Sequence, residues 1–264
     1  MSFDEIAARY SRDSMAQRSA AEVLLALAEA GPADDVLDVG CGTGALLARL
    51  RGLTRGRLAG VDPSARMIEE ARRAVPPGIE LARSGAEELP YEAEFDLVLS
   101  NSALQWFRDA PRAFARFRRA LRPGGRTALQ APATARYAPE FVGAMEEVAR
   151  DPRTRDVFAS WRSPWTWLER ADAYAALLAA AGFEVRLARI DELSSRETAD
   201  GAMRIFGSGA EAGYLGTASY PAPLPPGYAD DVRAIVRASF ERRAGPDGKL
   251  DLRFRRVFLE GLAR

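Results

Sequence analysis

The sequence contains no histidine, one lysine (Lys249) and one cysteine (Cys41). A Ser-His-Asp or Cys-His nucleophile, a histidine general base and a histidine-based metal site all need an imidazole, so these kinds of site are excluded. A pyridoxal Schiff base or a P-loop would have to use Lys249, whose neighbours match neither pattern. A single cysteine forms no intrachain disulfide and does not by itself make a zinc site, so no metal is expected.

Long apolar runs and an excess of one charge are missing as well. No segment approaches the ~20 consecutive apolar residues that span a bilayer, and residues 1–6 lack the basic and then apolar pattern of a signal peptide. The 37 basic side chains equal the 37 acidic ones and are scattered, which argues against nucleic acid or an anionic membrane as a partner. We therefore expect a cytoplasmic protein, and either a monomer or a weak homodimer.

What the chain does contain is an alternation of strand and helix patterns. Residues 36–39 (Val-Leu-Asp-Val) form a short apolar run typical of a buried parallel strand, and a glycine-rich segment and a helical pattern follow it. The alternation continues to residue 131, ending in a turn at 122–125 and a strand at 127–131. It predicts an α/β fold with a doubly wound, mostly parallel sheet and helices on both faces.

The 264 residues are enough for one large domain or for a core with a cap. We predict an N-terminal helical lid segment at 1–34, a cofactor-binding core at 35–190, a helical cap insertion at 191–248 and a final core strand at 249–264. Within the cap, a helix is predicted at 197–207, followed by a Gly/Pro-rich mobile loop at 207–227.

The loop after the first strand has the pattern of an anion- and nucleotide-binding turn. Backbone N–H groups and the positive end of the following helix dipole would face a bound ligand. Asp62 comes 20 residues after Gly42 at the tip of the next strand, where a carboxylate can accept hydrogen bonds from two ribose hydroxyls. This arrangement suits a cofactor that contains adenosine. Gly40, Gly42 and Ala45 also satisfy G-x-G-x-x-A, so a dinucleotide-dependent oxidoreductase is an alternative.

Two features disfavour the oxidoreductase. Hydride transfer to a carbonyl needs a proton donor, usually a histidine or a Tyr-x-x-x-Lys pair, and the only lysine is remote from the first strands. Asp38, two residues before the first glycine, is unusual in a dinucleotide loop. Its carboxylate favours a cationic amine on the ligand instead.

Residues 35–131 resemble the class I S-adenosylmethionine-dependent methyltransferases. The segment 38–44 (Asp-Val-Gly-Cys-Gly-Thr-Gly) matches their first motif, and Asp62-Pro63-Ser64 with Met67 is similar to the second. The segment 86–91 resembles the loop beside the adenine, 95–101 the fourth strand and 121–125 the turn before the fifth. The resemblance implies a Rossmann-like, mostly parallel seven-stranded sheet and S-adenosyl-L-methionine as the cofactor.

The resemblance also assigns roles to residues at the cofactor. The loop residues Gly40, Cys41, Gly42 and Gly44 would pack against its methionine part, with Asp38 near the amino group. Asp62 would bind the ribose, and the backbone of Ala86 would meet the edge of the adenine ring. Met67 would pack either by the adenine or inside the core. Family members often have an aspartate where this chain has Gly85, so Glu87 would replace it at the adenine amine. Two further residues, Pro63 and Asn101, complete the predicted cofactor contacts.

The segment 100–106 (Ser-Asn-Ser-Ala-Leu-Gln-Trp) narrows the resemblance to the trans-aconitate and malonyl-carrier-protein methyltransferase branch, which esterifies free carboxylates. This branch implies O-methylation of a carboxylate on a small molecule, free or carrier-bound. Methyl transfer is an in-line displacement, in which the protein mainly aligns the reacting groups. A carboxylate is ionised at neutral pH and requires no general base, which agrees with the missing histidine.

Several residues are candidates for the acceptor side of the site. The catalytic candidates are Tyr10, Gln105 and Trp106, and the predicted acceptor contacts are Tyr10, Trp106, Phe206 and Tyr214. Gln105 and Trp106 follow the carboxyl end of a central strand, where α/β sheets bind ligands. Each of three arginines would be able to bind an acceptor carboxylate bidentately: Arg162, Arg204 and Arg256.

Two alternatives to carboxylate methylation remain open at this stage. One is methylation of a phenol, an amine or a carbon in natural-product metabolism. The other is a protein that uses the cofactor structurally and catalyses another reaction, such as a cyclisation.

Overall fold

The structure is a computed structural model that describes the backbone of residues 15–264 and the side chains of residues 20–264. Tyr10 lies outside the described residues. The strands are β1 (Val36–Val39), β2 (Leu58–Asp62), β3 (Glu80–Arg83), β4 (Phe95–Asn101), β5 (Leu121–Pro132), β6 (Phe183–Thr198) and β7 (Lys249–Ala263). The α-helices are α1 (Met15–Ala28), α2 (Ala45–Leu50), α3 (Ala65–Ala74), α4 (Ala110–Ala120), α5 (Pro139–Val148), α6 (Arg155–Phe158), α7 (Ala171–Ala180), α8 (Ala199–Ile205), α9 (Glu211–Tyr214) and α10 (Tyr228–Arg243). Within residues 15–264, every helix is too short or too polar to cross a membrane.

The strands form one seven-stranded sheet in the order β3-β2-β1-β4-β5-β7-β6. The first five in this order pair in parallel, and β7 pairs antiparallel with β5. From β1 the strand order runs outward to β3 on one side of the sheet, and from β4 it continues on the other side. The switch point therefore lies between β1 and β4, where a doubly wound sheet opens a ligand crevice at the carboxyl ends of its strands. The predicted seven-stranded, mostly parallel sheet is confirmed.

Apolar residues cover both faces of this sheet because side chains alternate along each strand. On one face, Leu37 and Val98 pack with Phe114 and Phe117 of α4 and Leu178 of α7. The hydrophobic cluster on the other face collects residues of α1, α2 and α3 with the alternate strand positions: Leu24, Leu47, Ile68, Val36, Leu97 and Leu99. These strands read as continuous apolar runs since both of their faces are buried.

The chain divides into two compact units. The first, called here the sheet unit, contains residues 17–135, 166–191 and 256–264. The second, the helical unit, contains residues 136–165 and 192–255 among those described. In the helical unit, α10 packs on α5 and α8, and the Phe141 ring lies 5.4 to 5.7 Å, between ring centroids, from those of Phe206, Phe240 and Phe254.

Local structure differs from the sequence prediction at two strands. The predicted turn at 122–125 lies inside β5: Phe95 pairs with Leu121 and Leu97 with Arg126, so these four residues bulge out of the ladder. The strand β6 continues to Thr198, beyond residue 190, where the core was predicted to end and the helical cap to begin. Because the Thr198 hydroxyl caps the Gly201 N–H at 3.2 Å, α8 begins only at residue 199, and the predicted helix start at 197 is wrong.

The predicted loop from residue 207 is also wrong as far as Tyr214. Residues 206–210 form a π-helical turn, and α9 continues it. Gly213 serves packing there, since a Cβ at this position would overlap the Trp165 ring. Glycine therefore marks close contact at this position, where its presence in the sequence suggested a flexible loop.

Candidate functional site

The loop between β1 and α2 is held in a conformation that favours glycine. Gly40, Gly42 and Gly44 have φ angles of +78°, +53° and +80°. A Cβ at Gly40 would in addition overlap the Ala103 Cβ, in the segment after β4. The backbone N–H groups of Gly40 and Cys41 donate to the Val61 carbonyl oxygen at 2.8 and 3.0 Å. The loop is therefore tied to β2 and lies close to the segment that follows β4.

Asp62 is the last residue of β2, and its carboxylate binds the backbone of this loop. Its Oδ2 accepts the Gly42 N–H at 3.0 Å, and its Oδ1 accepts the Ser64 N–H at 2.9 Å. Ser64 in turn caps α3 by accepting the Met67 N–H at 3.1 Å. A carboxylate is also the side chain that binds the two hydroxyls of a ribose at the tip of the second strand in nucleotide-binding sheets. The placement agrees with the predicted ribose contact, which stays a prediction.

Asp38 lies in β1 just before the loop, and the residue is 1% exposed. Neither of its oxygens has a hydrogen-bond partner among the residues that the structure describes. Burial, and secondarily the charge of Asp62, raise the pKa of Asp38 to about 7. An unpaired buried carboxylate is unfavourable unless a cation binds it. The loop therefore fits a ligand with an ammonium group, such as the methionine part of S-adenosylmethionine.

The residues predicted to contact the adenine lie after the ends of β2 and β3. Met67 and Ala86 are buried near the ends of β2 and β3, and the Pro63 carbonyl oxygen accepts Arg83 Nε at 2.9 Å. Glu87 Oε1 accepts the backbone N–H groups of Arg108 and Asp109 at 2.8 and 3.2 Å, just before α4. Glu87 thus anchors the start of α4, and its contact with an adenine amine stays a prediction.

Cys41 packs inside the loop. Its thiol is buried, which raises its pKa well above the usual range. A Cβ at Gly60 would lie only 3.0 Å from the Cys41 sulfur, so strand β2 is closely packed against this residue. The side chain therefore supports the loop from the core, and any ligand contact would involve its backbone.

Polar side chains at the carboxyl ends of β4 and β5 form a hydrogen-bonded set, called here the β4–β5 polar network. Arg256 of β7, which is 4% exposed, donates from Nη1 to Ser102 Oγ at 3.0 Å and to Gln130 Oε1 at 2.9 Å. Gln130 Nε2 donates to Ser102 Oγ at 2.8 Å and to Asn101 Oδ1. Ser102 and Gln130 were not among the predicted site residues, although a glutamine inside an apolar strand is a signal that could have identified Gln130.

The structure brings two of the three catalytic candidates to this network. Gln105 and Trp106 belong to a 3₁₀ turn, Leu104–Trp106, directly after β4. Gln105 Nε2 donates to the Ser102 carbonyl oxygen at 2.9 Å. These two residues and Arg256 therefore lie at the same edge of the sheet unit.

Phe206 and Tyr214 lie in the helical unit. Their rings stack on each other with centroids 6.0 Å apart, and Tyr214 also contacts Trp161 and Trp165 at 5.2 and 5.1 Å. Both side chains are buried. They form part of the aromatic core of that unit, and their contact with an acceptor stays a prediction.

The chain is similar to known proteins in sequence and in fold. A family model described as a methyltransferase domain matches residues 36–125. The malonyl-[acyl-carrier protein] O-methyltransferase of Erwinia pyrifoliae is 34% identical over 201 residues, which cover 75% of this chain and 73% of that protein. The trans-aconitate 2-methyltransferase of Deinococcus radiodurans is 37% identical over 131 residues, which cover 49% of this chain and 50% of that protein. The chain thus spans about half the length of that relative.

A solved structure gives the same fold. The YcgJ protein of Bacillus subtilis superposes with a TM-score of 0.61 at 18% identity, covering 94% of this chain and 99% of that protein. At this identity the likeness concerns the fold alone.

Proposed function

The chain belongs to the S-adenosylmethionine-dependent methyltransferases, and from this premise we propose that it methylates a carboxylate oxygen of a small organic acid, free or carrier-bound. S-adenosyl-L-methionine is the cofactor of this family. The names of the two relatives support a carboxylate acceptor, since malonyl groups and trans-aconitate both carry free carboxylates. The proposal for this chain rests on its own residues as well.

The position of Arg256 is the main support for a carboxylate acceptor. The side chain is a buried guanidinium beside the carboxyl ends of β4 and β5, where Nη1 donates to Ser102 Oγ and Gln130 Oε1. A guanidinium presents its N–H groups in a planar fork that matches a carboxylate. Ligands of doubly wound sheets bind at this edge. Arg256 is therefore suited to orient an acidic acceptor.

The chemistry asks little of the protein besides alignment. The bound cofactor supplies a methyl group that is already activated as a sulfonium. Asp38 would hold its ammonium group and Asp62 its ribose, while Arg256 would hold the acceptor carboxylate so that one oxygen faces the methyl carbon. No proton has to move, because a carboxylate is ionised at neutral pH. A chain without histidine is therefore sufficient for this reaction.

A turnover screen with methyl-labelled cofactor tests the proposal against free and thioester-linked acids, phenols and amines. We expect label in products that release methanol in mild base, which methyl esters do and methyl ethers and methylamines do not. Label in base-stable products would contradict the proposal. Cofactor binding without transfer to any acceptor would favour a structural use of the cofactor.

A pair of variants tests Arg256 itself. Arg256→Gln should lower kcat/KM on acids by about 30-fold or more, the scale of a lost charged hydrogen bond. Its dissociation constant for S-adenosylhomocysteine should change less than threefold. The neighbouring Arg255, whose side chain is 40% exposed and pairs with Glu192 at 3.4 Å, provides the control Arg255→Gln. An equal loss in both variants would remove Arg256 from the site.

A further inference from the structure

The Gln105 side chain is fixed in one orientation. Its Nε2 donates to the Ser102 carbonyl oxygen at 2.9 Å, and its backbone oxygen accepts the Thr166 N–H at 3.0 Å. Because only the NH₂ group can donate to a carbonyl, this bond assigns the two ends of the amide. The Oε1 atom therefore points away from Ser102.

This Oε1 atom is buried, and no residue among those that the structure describes donates a hydrogen bond to it. The whole residue is 7% exposed. A buried acceptor without a donor costs about 1–3 kcal/mol, and native proteins keep few of them. The cost is removed when a ligand brings a donor to the atom.

The segments that follow β4 and β5, the first of which contains Gln105, have the features of a binding site. Ser102, to which Gln105 bonds, also accepts the Arg256 bond, so the amide and the guanidinium are joined through one residue. Ser102 has φ +59°, and Thr134, two residues after β5, has φ +68°. Thr134 Oγ1 is a second buried atom without a partner among the described residues. Non-glycine residues in this conformation are strained and cluster at functional sites.

We propose that Gln105 determines acceptor specificity by accepting a hydrogen bond from a hydroxyl or amide N–H group that the acid carries near the methylated carboxylate. The inference rests on the proposed function, because it places the carboxylate on Arg256. A site that is built to hydrogen-bond a substrate group rejects the analogue that lacks it, since its own polar atom is then left unpaired. The acceptor class is thus an acid that bears a hydrogen-bond donor.

Matched pairs of acids test this directly. Malate with succinate, and citrate with propane-1,2,3-tricarboxylate, differ by one hydroxyl group. N-acetylaspartate and 2-acetoxysuccinate differ at one atom, because the ester oxygen of the second replaces the amide N–H of the first. In wild type we expect kcat/KM to be at least 100-fold higher for the acid that carries the donor than for its partner. A preference in the two hydroxyl pairs would identify the donor as a hydroxyl group, and a preference in the N–H pair would identify it as an amide. Equal rates within every pair would overturn the inference.

Variants at position 105 then separate recognition from structure. Gln105→Met keeps the length of the side chain without the acceptor atom, and it should reduce the preference at least tenfold by slowing the donor-bearing member alone. Thr154→Val removes a buried hydroxyl that bonds to Val148 in the helical unit, and it should leave the preference unchanged. Equal slowing of both members by Gln105→Met would show a structural role and overturn the inference alone. If wild type methylates none of these acids but methylates phenols or amines, the proposed function fails and the inference fails with it.

Discussion

The Asp62 carboxylate accepts a hydrogen bond from the Gly42 backbone N–H at 3.0 Å, across 20 residues of sequence. The same side chain also accepts the Ser64 N–H. Asp62 therefore fixes the glycine loop and the start of α3 at once. The residue expected to bind the ribose also shapes the loop expected to bind the methionine part.

Because of this double role, Asp62→Ala should weaken the binding of S-adenosylhomocysteine by about 1–3 kcal/mol, which calorimetry measures directly. Asp62→Asn keeps one oxygen for the Gly42 N–H and should lose less. An exposed aspartate in the helical unit, Asp200, which pairs with Arg237, provides the control Asp200→Ala. An unchanged dissociation constant in Asp62→Ala would remove this residue from the site.

Gly40→Ala should lower the free energy of unfolding, because φ is +78° and the new methyl group would overlap the Ala103 side chain. Gly78 offers a matched control: its φ is +85°, and a Cβ there would meet nothing within 4 Å. Gly78→Ala should show backbone strain alone, about 1 kcal/mol. Denaturant unfolding of both variants measures the difference, which we expect to be about 1–3 kcal/mol. Equal losses would mean that the loop moves away from Ala103 freely.

Gly40 and Asp62 also show how much of the site can be predicted from the sequence. The glycine loop and Asp62 were identifiable because the chain pattern around each is local: a short apolar strand, then the turn or helix start. The β4–β5 polar network was not, because Arg256 meets Ser102 and Gln130 across 154 and 126 residues. The helical structure of 206–214 was missed for a similar reason, since contacts such as that between Gly213 and Trp165 override the local preference of glycine for loops.

Phe206 separates a packing role from an acceptor contact. Its ring is fully buried against Phe141 and Tyr214, so Phe206→Ala should lower the free energy of unfolding by about 3–5 kcal/mol. Phe206→Leu should lose less and remain folded at 25 °C. The exposed Leu53 supplies the surface control Leu53→Ala, with a loss below about 0.5 kcal/mol. A change of acceptor preference in Phe206→Leu would support the contact with the acceptor that the sequence predicts.

Asp38 should make the free protein less stable as the pH rises. Its pKa is about 7 in the folded chain against 3.8 for the ordinary side chain, so the folded state binds more protons between these values. The free energy of unfolding contributed by this group therefore falls from pH 4 to pH 7 and is constant above. Asp38→Asn should remove this slope and raise stability at pH 8 by about 1–3 kcal/mol, measured by denaturant unfolding without cofactor. A lower stability of the variant at pH 8 would contradict the burial of an unpaired charge.

The same carboxylate should make cofactor binding depend on pH in the opposite sense. An ammonium group beside Asp38 favours its ionised form, so binding lowers the pKa and releases a proton. Affinity for S-adenosylhomocysteine should therefore rise about tenfold per pH unit from pH 5 to pH 7. It should fall again at alkaline pH, where the α-amino group of the ligand loses its proton. Calorimetry in buffers of different ionisation enthalpy measures the proton released near pH 6. Asp38→Asn should bind more weakly at pH 7 and lose the rise below it, whereas Asp62→Asn should keep it. If the rise persists in Asp38→Asn, another group titrates, and Asp38 does not contact the amine.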